Sequence, residues 1–203
     1  MVEKGILTEM NNVTALPSTD GRRRRSEQSR DRIVTAMLGL IEAGAISPSA
    51  EDVAARAQVG LRSVFRHFKD MESLYAEMTI ELARSYMTAA LMPFESQGWQ
   101  GQLREAADRR FGIYEQMLPF KRASDAHRHE SAAIQANHER IVVLLRTRLQ
   151  ALMPPHLVGD AGAFETLDLL LSVDAWARLR AEQKLPVETA RAIVLRMVDL
   201  LVG

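Results

Sequence analysis

Apolar residues recur along most of this chain at three- and four-residue intervals, and nowhere do they alternate with polar ones long enough to make a strand. Ile33, Ala36, Met37, Leu40 and Ile41 share one helical face, and Gly44 is placed to end that helix. Ser49 to Ala57 predicts a short helix, with Ser49 and Asp52 in a capping-box arrangement. Gln58-Val59-Gly60 leaves room only for a tight turn before a second short helix over Leu61 to Phe68. Asp70 is placed to cap a longer helix in which Leu74, Met78 and Leu82 recur every fourth residue. Beyond Pro93 the segments lengthen. Gln102 to Gln116 sets Leu103, Ala106, Ala107, Arg110 and Tyr114 on one face, and Asp125 to Leu152 carries Ile134, Ile141, Leu145 and Leu149 or Leu152 on one stripe. Gly162 to Ala181 and Val187 to Val202 complete the series. Prolines at positions 17, 48, 93, 119, 154, 155 and 186 punctuate it. The expected fold class is all-α, without internal repeats.

The last two helices are apolar over more than one stripe. Phe164, Leu167, Leu170, Leu171, Val173 and Trp176 cannot all face one core, and neither can Ile193, Val194, Leu195, Met197, Val198, Leu200 and Leu201. Such helices are buried on two sides, either centrally in their own domain or against another chain.

Composition narrows the class. At 203 residues the chain can bury a substantial core. Lys plus Arg and Asp plus Glu both number 26, so the net charge is zero and the chain as a whole is no polycation. The absence of cysteine excludes a disulfide scaffold, a zinc–thiolate site and a cysteine nucleophile, and fits a cytoplasmic protein. No apolar run reaches the length of a membrane-spanning helix, and the N-terminus lacks a signal-peptide core. GxSxG, HExxH, GxxxxGK[ST] and GxGxxG are all missing, as are Glu-x-x-His pairs, so no catalytic residue and no cofactor are expected. His127 and His138 share a helix face but stand about 16 Å apart at about 1.5 Å per residue, and His129 points elsewhere. No metal site is expected from them.

The informative stretch is Ser49 to Leu74. Two short helices joined by three residues must cross steeply, and Ala54 and Ala57 supply the small contacts such a crossing needs. Val53, Val59, Val64 and Phe68 close a miniature core. The outer face of the second helix is left with Arg62, Ser63, Arg66 and His67, a row of donors on an element that fits the DNA major groove. Lys69 follows where a phosphate would lie. Charge is polarised to match: residues 21–70 carry ten basic and six acidic side chains, while the rest of the chain is net acidic. Arg22, Arg23, Arg24 and Arg25 form a basic run suited to phosphates or a minor groove, or simply to solvent.

From about Ser29 to Leu82 the sequence resembles the tetracycline-repressor (TetR) family of transcription regulators. The resemblance is densest at Glu51–Ala57, Val64-Phe65-Arg66-His67-Phe68 and Glu72-Ser73-Leu74. It implies that Leu61, Arg62 and Ser63 face bases, and that Ser49, Phe65, His67 and Lys69 meet the DNA backbone. Gln58 stands where the family often has a turn glycine, Gly60 where it has a Ser or Thr cap, and Phe65 where tyrosine is frequent. A left-handed Gln58 would cost roughly 1–2 kcal/mol.

The expected organisation is a flexible tail over 1–20, a helix-turn-helix domain over 21–70 and a helical regulatory domain over 71–203. The resemblance implies a homodimer on near-palindromic operator DNA, acting as a repressor that a small-molecule ligand releases. Phe164, Leu167, Leu171, Ile193, Met197 and Leu201 are the expected dimer residues. Phe111, Tyr114, Met117, Phe120 and Trp176 are candidates for a ligand pocket, and Arg109, Arg110 and Arg128 offer either an anion site or surface charge. The competing expectation is a helical dimer that binds a metabolite or a protein partner without specific DNA reading.

Overall fold

The computed structural model describes residues 19–203, and every described element is helical. Helix α1 spans Thr19–Glu42, α2 Ala50–Ala57, α3 Leu61–His67 and α4 Met71–Ala90. Helix α5 runs over Gly98–Arg128 and α6 over Ala132–Leu152. Three short helices follow, α7 Pro155–Gly159, α8 Ala161–Leu170 and α9 Val173–Ala177; a π-helical turn at Arg178–Glu182 then leads to α10, Val187–Val202.

The N-terminal unit folds as its caps dictate. Gly44, at φ 104°, closes α1. Ser49 and Asp52 form a complete capping box on α2, and Asp70 and Ser73 another on α4. Gln58 is left-handed, at φ 54° and ψ 47°, and its N–H closes α2 back onto Ala54 and Ala55. The position is therefore the αL cap of a turn too short to end the helix another way. A Cβ on Gly39 of α1 would stand 2.5 Å from the Arg56 guanidinium, the mobile end of a long side chain of α2.

One hydrophobic cluster joins Ile33, Met37 and Ile41 of α1 to Val53 and Ala57 of α2, Val64 of α3 and Phe68. It continues without interruption into Leu74, Tyr75, Met78 and Leu82 of α4, then Phe120 and Ala123 of α5 and Ile134 of α6. A second cluster unites Leu103, Ala107, Phe111 and Tyr114 of α5 with Leu149, Phe164, Leu167, Leu171, Trp176, Ala190, Val194 and Val198. Helix α5 is thus common to both.

Sequence expectations change at several points. Helix α1 begins at Thr19 and carries the four arginines exposed on its first turns; positions 1–18 lie outside the described residues. Pro119 does not punctuate: α5 passes through it, without a proline N–H to donate to the Glu115 carbonyl. The long helix expected from Asp125 is instead two. The Ser131 N–H bonds the His127 carbonyl at 3.1 Å and its hydroxyl accepts the Ile134 N–H at 3.2 Å, so the chain stops and restarts at 129–131. Likewise Ser172 splits Gly162 to Ala181: its hydroxyl donates to the Leu169 carbonyl at 2.7 Å and accepts from the Ala175 N–H at 3.1 Å.

Candidate nucleic-acid interface

Helix α3 rests on the first core through Val64, with Phe68 just beyond its end, and most of its other side chains are exposed. Leu61, Arg62, Phe65 and Arg66 are exposed, Ser63 and His67 half-buried, and Lys69 exposed just beyond the helix. The ion pairs of this region join Arg23 to Glu27 at 3.0 Å and Arg30 to Glu77 at 2.6 Å; Arg62, Arg66 and Lys69 belong to none among the described residues. Their charges are therefore uncommitted. The Arg30 guanidinium also lies over the Phe68 ring at 4.9 Å, so one side chain of α1 fixes the end of α3 and the first half of α4 together.

Two expected backbone contacts have particular chemistry. The Ser49 hydroxyl donates to Asp52 Oδ2 at 2.7 Å and accepts the Asp52 N–H at 3.1 Å, so it must leave the carboxylate to meet a phosphate. The Ser49 hydroxyl, and the Ser49 N–H that donates to the same oxygen at 3.0 Å, hold the Asp52 carboxyl below its ordinary range. For His67, burial and then the neighbouring Arg66 and Arg30 push the pKa down, which favours a neutral ring at pH 7. Its Nε2 is buried without a hydrogen-bond partner among the described residues.

The interface is tied to the rest of the chain at one junction. The Tyr75 hydroxyl donates to the Ile46 carbonyl at 3.2 Å, the Tyr75 ring lies 4.5 Å from the His127 ring, and Ser47 Oγ and His127 Nε2 are 3.2 Å apart. Ser131 donates to Glu72 at 2.6 Å. The loop before α2, the start of α4 and the α5–α6 corner therefore meet. Sequence reasoning missed this role for His127, because nothing in local spacing links positions 47, 75 and 127. His138 instead sits 3.1 Å from Arg128, and among the described residues no three metal-ligating side chains converge.

Above the junction a cavity of about 160 Å³ opens between α4, α5 and α6. Tyr114 and Met117 line it, along with Arg109, Arg110 and Arg148. Phe120 lines a neighbouring cavity of about 100 Å³, which shares Ala83, Met117, Ile141 and Val173 with the first. Phe111 and Trp176 line neither. Their rings stack at 4.5 Å inside the second core, and the Trp176 indole N–H donates to Glu115 at 2.7 Å. Being large and apolar, they were indistinguishable by type from pocket residues.

The expected dimer residues divide in a similar way. Phe164, Leu167 and Leu171 are buried in their own chain's core and offer no surface. Ile193 and Met197 are 42% and 41% exposed, and Leu201 is half-buried. Leu169 and Leu200, at 63% and 70%, are the most exposed apolar residues of α8 and α10.

The described residues form a three-helix head on a larger helical body that holds a cavity between α4, α5 and α6. No protein-family model and no curated protein matches the sequence. Solved structures do. The chain is similar to a protein of Streptomyces coelicolor A3(2) regarded as a transcriptional regulator, at 20% identity and TM-score 0.62 over 86% of this chain and 98% of the other. A transcriptional regulator from Rhodococcus sp. Rha1 matches at 15% identity and TM-score 0.63, over 87% of this chain and 95% of that one. A TetR family transcription regulator from Marinobacter aquaeolei VT8 matches at 18% identity and TM-score 0.55, over 86% and 97%. The likeness is one of fold across nearly the whole of each relative. No described helix is long and apolar enough to cross a membrane.

Proposed function

We propose that this chain is a TetR-family DNA-binding transcription regulator: a homodimer that represses from a near-palindromic operator and is released by a small molecule. The observation that carries the reading is the outer face of α3, where Arg62, Arg66 and Lys69 are exposed and uncommitted on a helix fixed from behind by Val64, Phe68 and Arg30. In this reading Leu61, Arg62 and Ser63 meet base edges, while Ser49, Phe65, Arg66, His67 and Lys69 meet the backbone. Arg22 to Arg25 extend the basic surface along α1. A two-fold axis at α8 and α10, through Leu169, Ile193, Met197 and Leu200, would set two α3 helices about 34–36 Å apart, one turn of DNA.

Release follows from how α4 is built. Its first half shares a core with α1–α3, and its second half, through Ala83, Tyr86, Met87 and Ala90, lines the cavity. A ligand that prefers one setting of α4 thereby prefers one separation of the recognition helices, and only such differential affinity shifts the equilibrium.

The test is recovery of sheared genomic DNA on the purified protein at two salt concentrations, followed by sequencing. A palindromic motif enriched at the higher salt is the expected result. Binding that disappears with salt and leaves no motif would overturn specific reading and favour a dimer that binds a metabolite or a protein instead.

A further inference from the structure

Three arginines line the cavity between α4, α5 and α6, and among the described residues no acidic side chain does. Each guanidinium is placed differently. Arg109 pairs with Glu105 and donates to the carbonyls of Met92 and Pro93, so its charge is matched. Arg110 donates only to the carbonyls of Leu145, at 3.0 Å, and Leu171, at 3.3 Å. Arg148 donates through Nη2 to the Ala90 carbonyl, while its Nη1 is buried with no acceptor among the described residues. Burial pushes the Arg148 pKa down, and Arg110 and Arg109 push it the same way, with no carboxylate opposing them.

A buried donor without an acceptor, beside an unmatched second cation, is a costly arrangement that a bound anion relieves. The rest of the wall is apolar, with Ala83, Met87, Ile113, Met117, Leu144 and Leu145 among its residues. Resting on the regulator reading above, we propose that the ligand is a monoanionic amphiphile, a single carboxylate on an apolar body, whose head group lies between Arg148 and Arg110. One carboxylate matches the one donor left without an acceptor. A dianion would bring a second charge into an apolar wall where Arg110 and Arg148 already give other N–H groups to carbonyls. The same guanidinium that takes the head group holds the last turn of α4 through Ala90, so binding competes with the tie that sets α4.

The test is titration calorimetry of the full-length protein with straight-chain carboxylates from hexanoate to dodecanoate, with the matching alcohols and alkyl phosphates, and with 4-phenylbutanoate. Expected is saturable binding of at least one carboxylate, tighter by at least about tenfold than its alcohol and no weaker than its phosphate. Arg148→Gln is expected to bring acid and alcohol to near equality. Equal binding of acid and alcohol to the wild-type protein, tighter binding of the phosphate, no binding of any carboxylate, or an acid preference that survives in a folded Arg148→Gln protein would each overturn the proposal. If Arg148→Gln does not fold, the wild-type comparison decides alone. Which body binds tighter, alkyl or aryl, identifies the apolar part. DNA binding of the ligand-free protein is measured separately: its absence would end the regulator reading while the calorimetric result stood.

Discussion

Ser47 and His127 stand 80 residues apart in sequence and 3.2 Å apart in space. One belongs to the loop that leads into the helix-turn-helix, the other to the last turn of α5, whose middle lines the cavity. With the Tyr75–His127 ring contact, this makes a short polar bridge between the part proposed to read DNA and the part proposed to sense ligand. Ser47→Ala should leave the fold intact, at a stability cost of about 0.5–1.5 kcal/mol for one hydrogen bond. Chemical denaturation measures that cost. The operator affinity lost on adding ligand should shrink in the same variant, and an unchanged ligand response would show that the signal travels another way.

The exposed cations of the recognition helix should separate by role. Arg62→Ala should change which sequence is preferred. Lys69→Ala should weaken binding to all sequences alike and lower the salt slope by about one. Binding isotherms on the recovered motif and on scrambled DNA, each at several salt concentrations, distinguish the two effects; identical behaviour would overturn the division between base and phosphate contacts.

Surface and core positions of α8 to α10 should also part company. Leu200→Glu and Met197→Glu place a charge where the chain is exposed, and should yield folded monomers in sedimentation. Leu171→Glu places a charge in the second core, and should destabilise the chain itself by about 3–5 kcal/mol. A dimer that persists in both surface variants would move the interface elsewhere.

Acid should act through Glu105. Its carboxylate accepts the Ser96 N–H at 2.9 Å and the Glu95 N–H, and pairs with Arg109. Its pKa falls from the ordinary 4.5 to about 2, chiefly through the Ser96 backbone bond. A folded pKa below the unfolded one contributes stability that is complete above pH 4.5 and lost as pH falls towards 2. Glu105→Gln should therefore melt earlier than the wild type at pH 7, and the gap should close between pH 4.5 and 2. A gap independent of pH would mean that the charge is not what stabilises the α4–α5 connection.

Gln58 should respond to loss of its side chain. At φ 54° it pays for a conformation glycine adopts freely. Gln58→Gly is expected to stabilise by up to about 1 kcal/mol, or about 2–4 °C in Tm for a chain of this size. A lower Tm would show that the side chain makes a compensating contact.

Much of the helix-turn-helix was legible in the sequence because its instructions are local. Ser49 with Asp52, the three-residue turn and the alternation of Val64 and Phe68 with Arg62 and Arg66 specify caps, crossing and faces within 26 residues. The body was less legible. Ser131 and Ser172 interrupt helices whose apolar period runs on across them, so periodicity alone joined what side-chain hydroxyls divide. Pro119 reads as a stop because its effect on an isolated helix is disruptive, whereas α5 passes through it with Tyr114 and Phe120 buried on either side. Phe111, Phe164 and Leu171 show the same limit for sites. Whether an apolar residue lines a cavity, faces a second chain or fills a core depends on which other helices arrive, and spacing does not carry that information.

Helix α5 threads both cores, Leu103 to Tyr114 in one and Phe120 with Ala123 in the other, and Pro119 lies between them without an amide proton. Its ladder is therefore one rung short where two separately packed regions abut. Opening fluctuations started at one end of the rod need not run to the other, so amides on the two sides of that gap should exchange with solvent as separate cooperative groups. A single continuous helix would then behave, on the timescale of its own breathing, as two bodies sharing a spine.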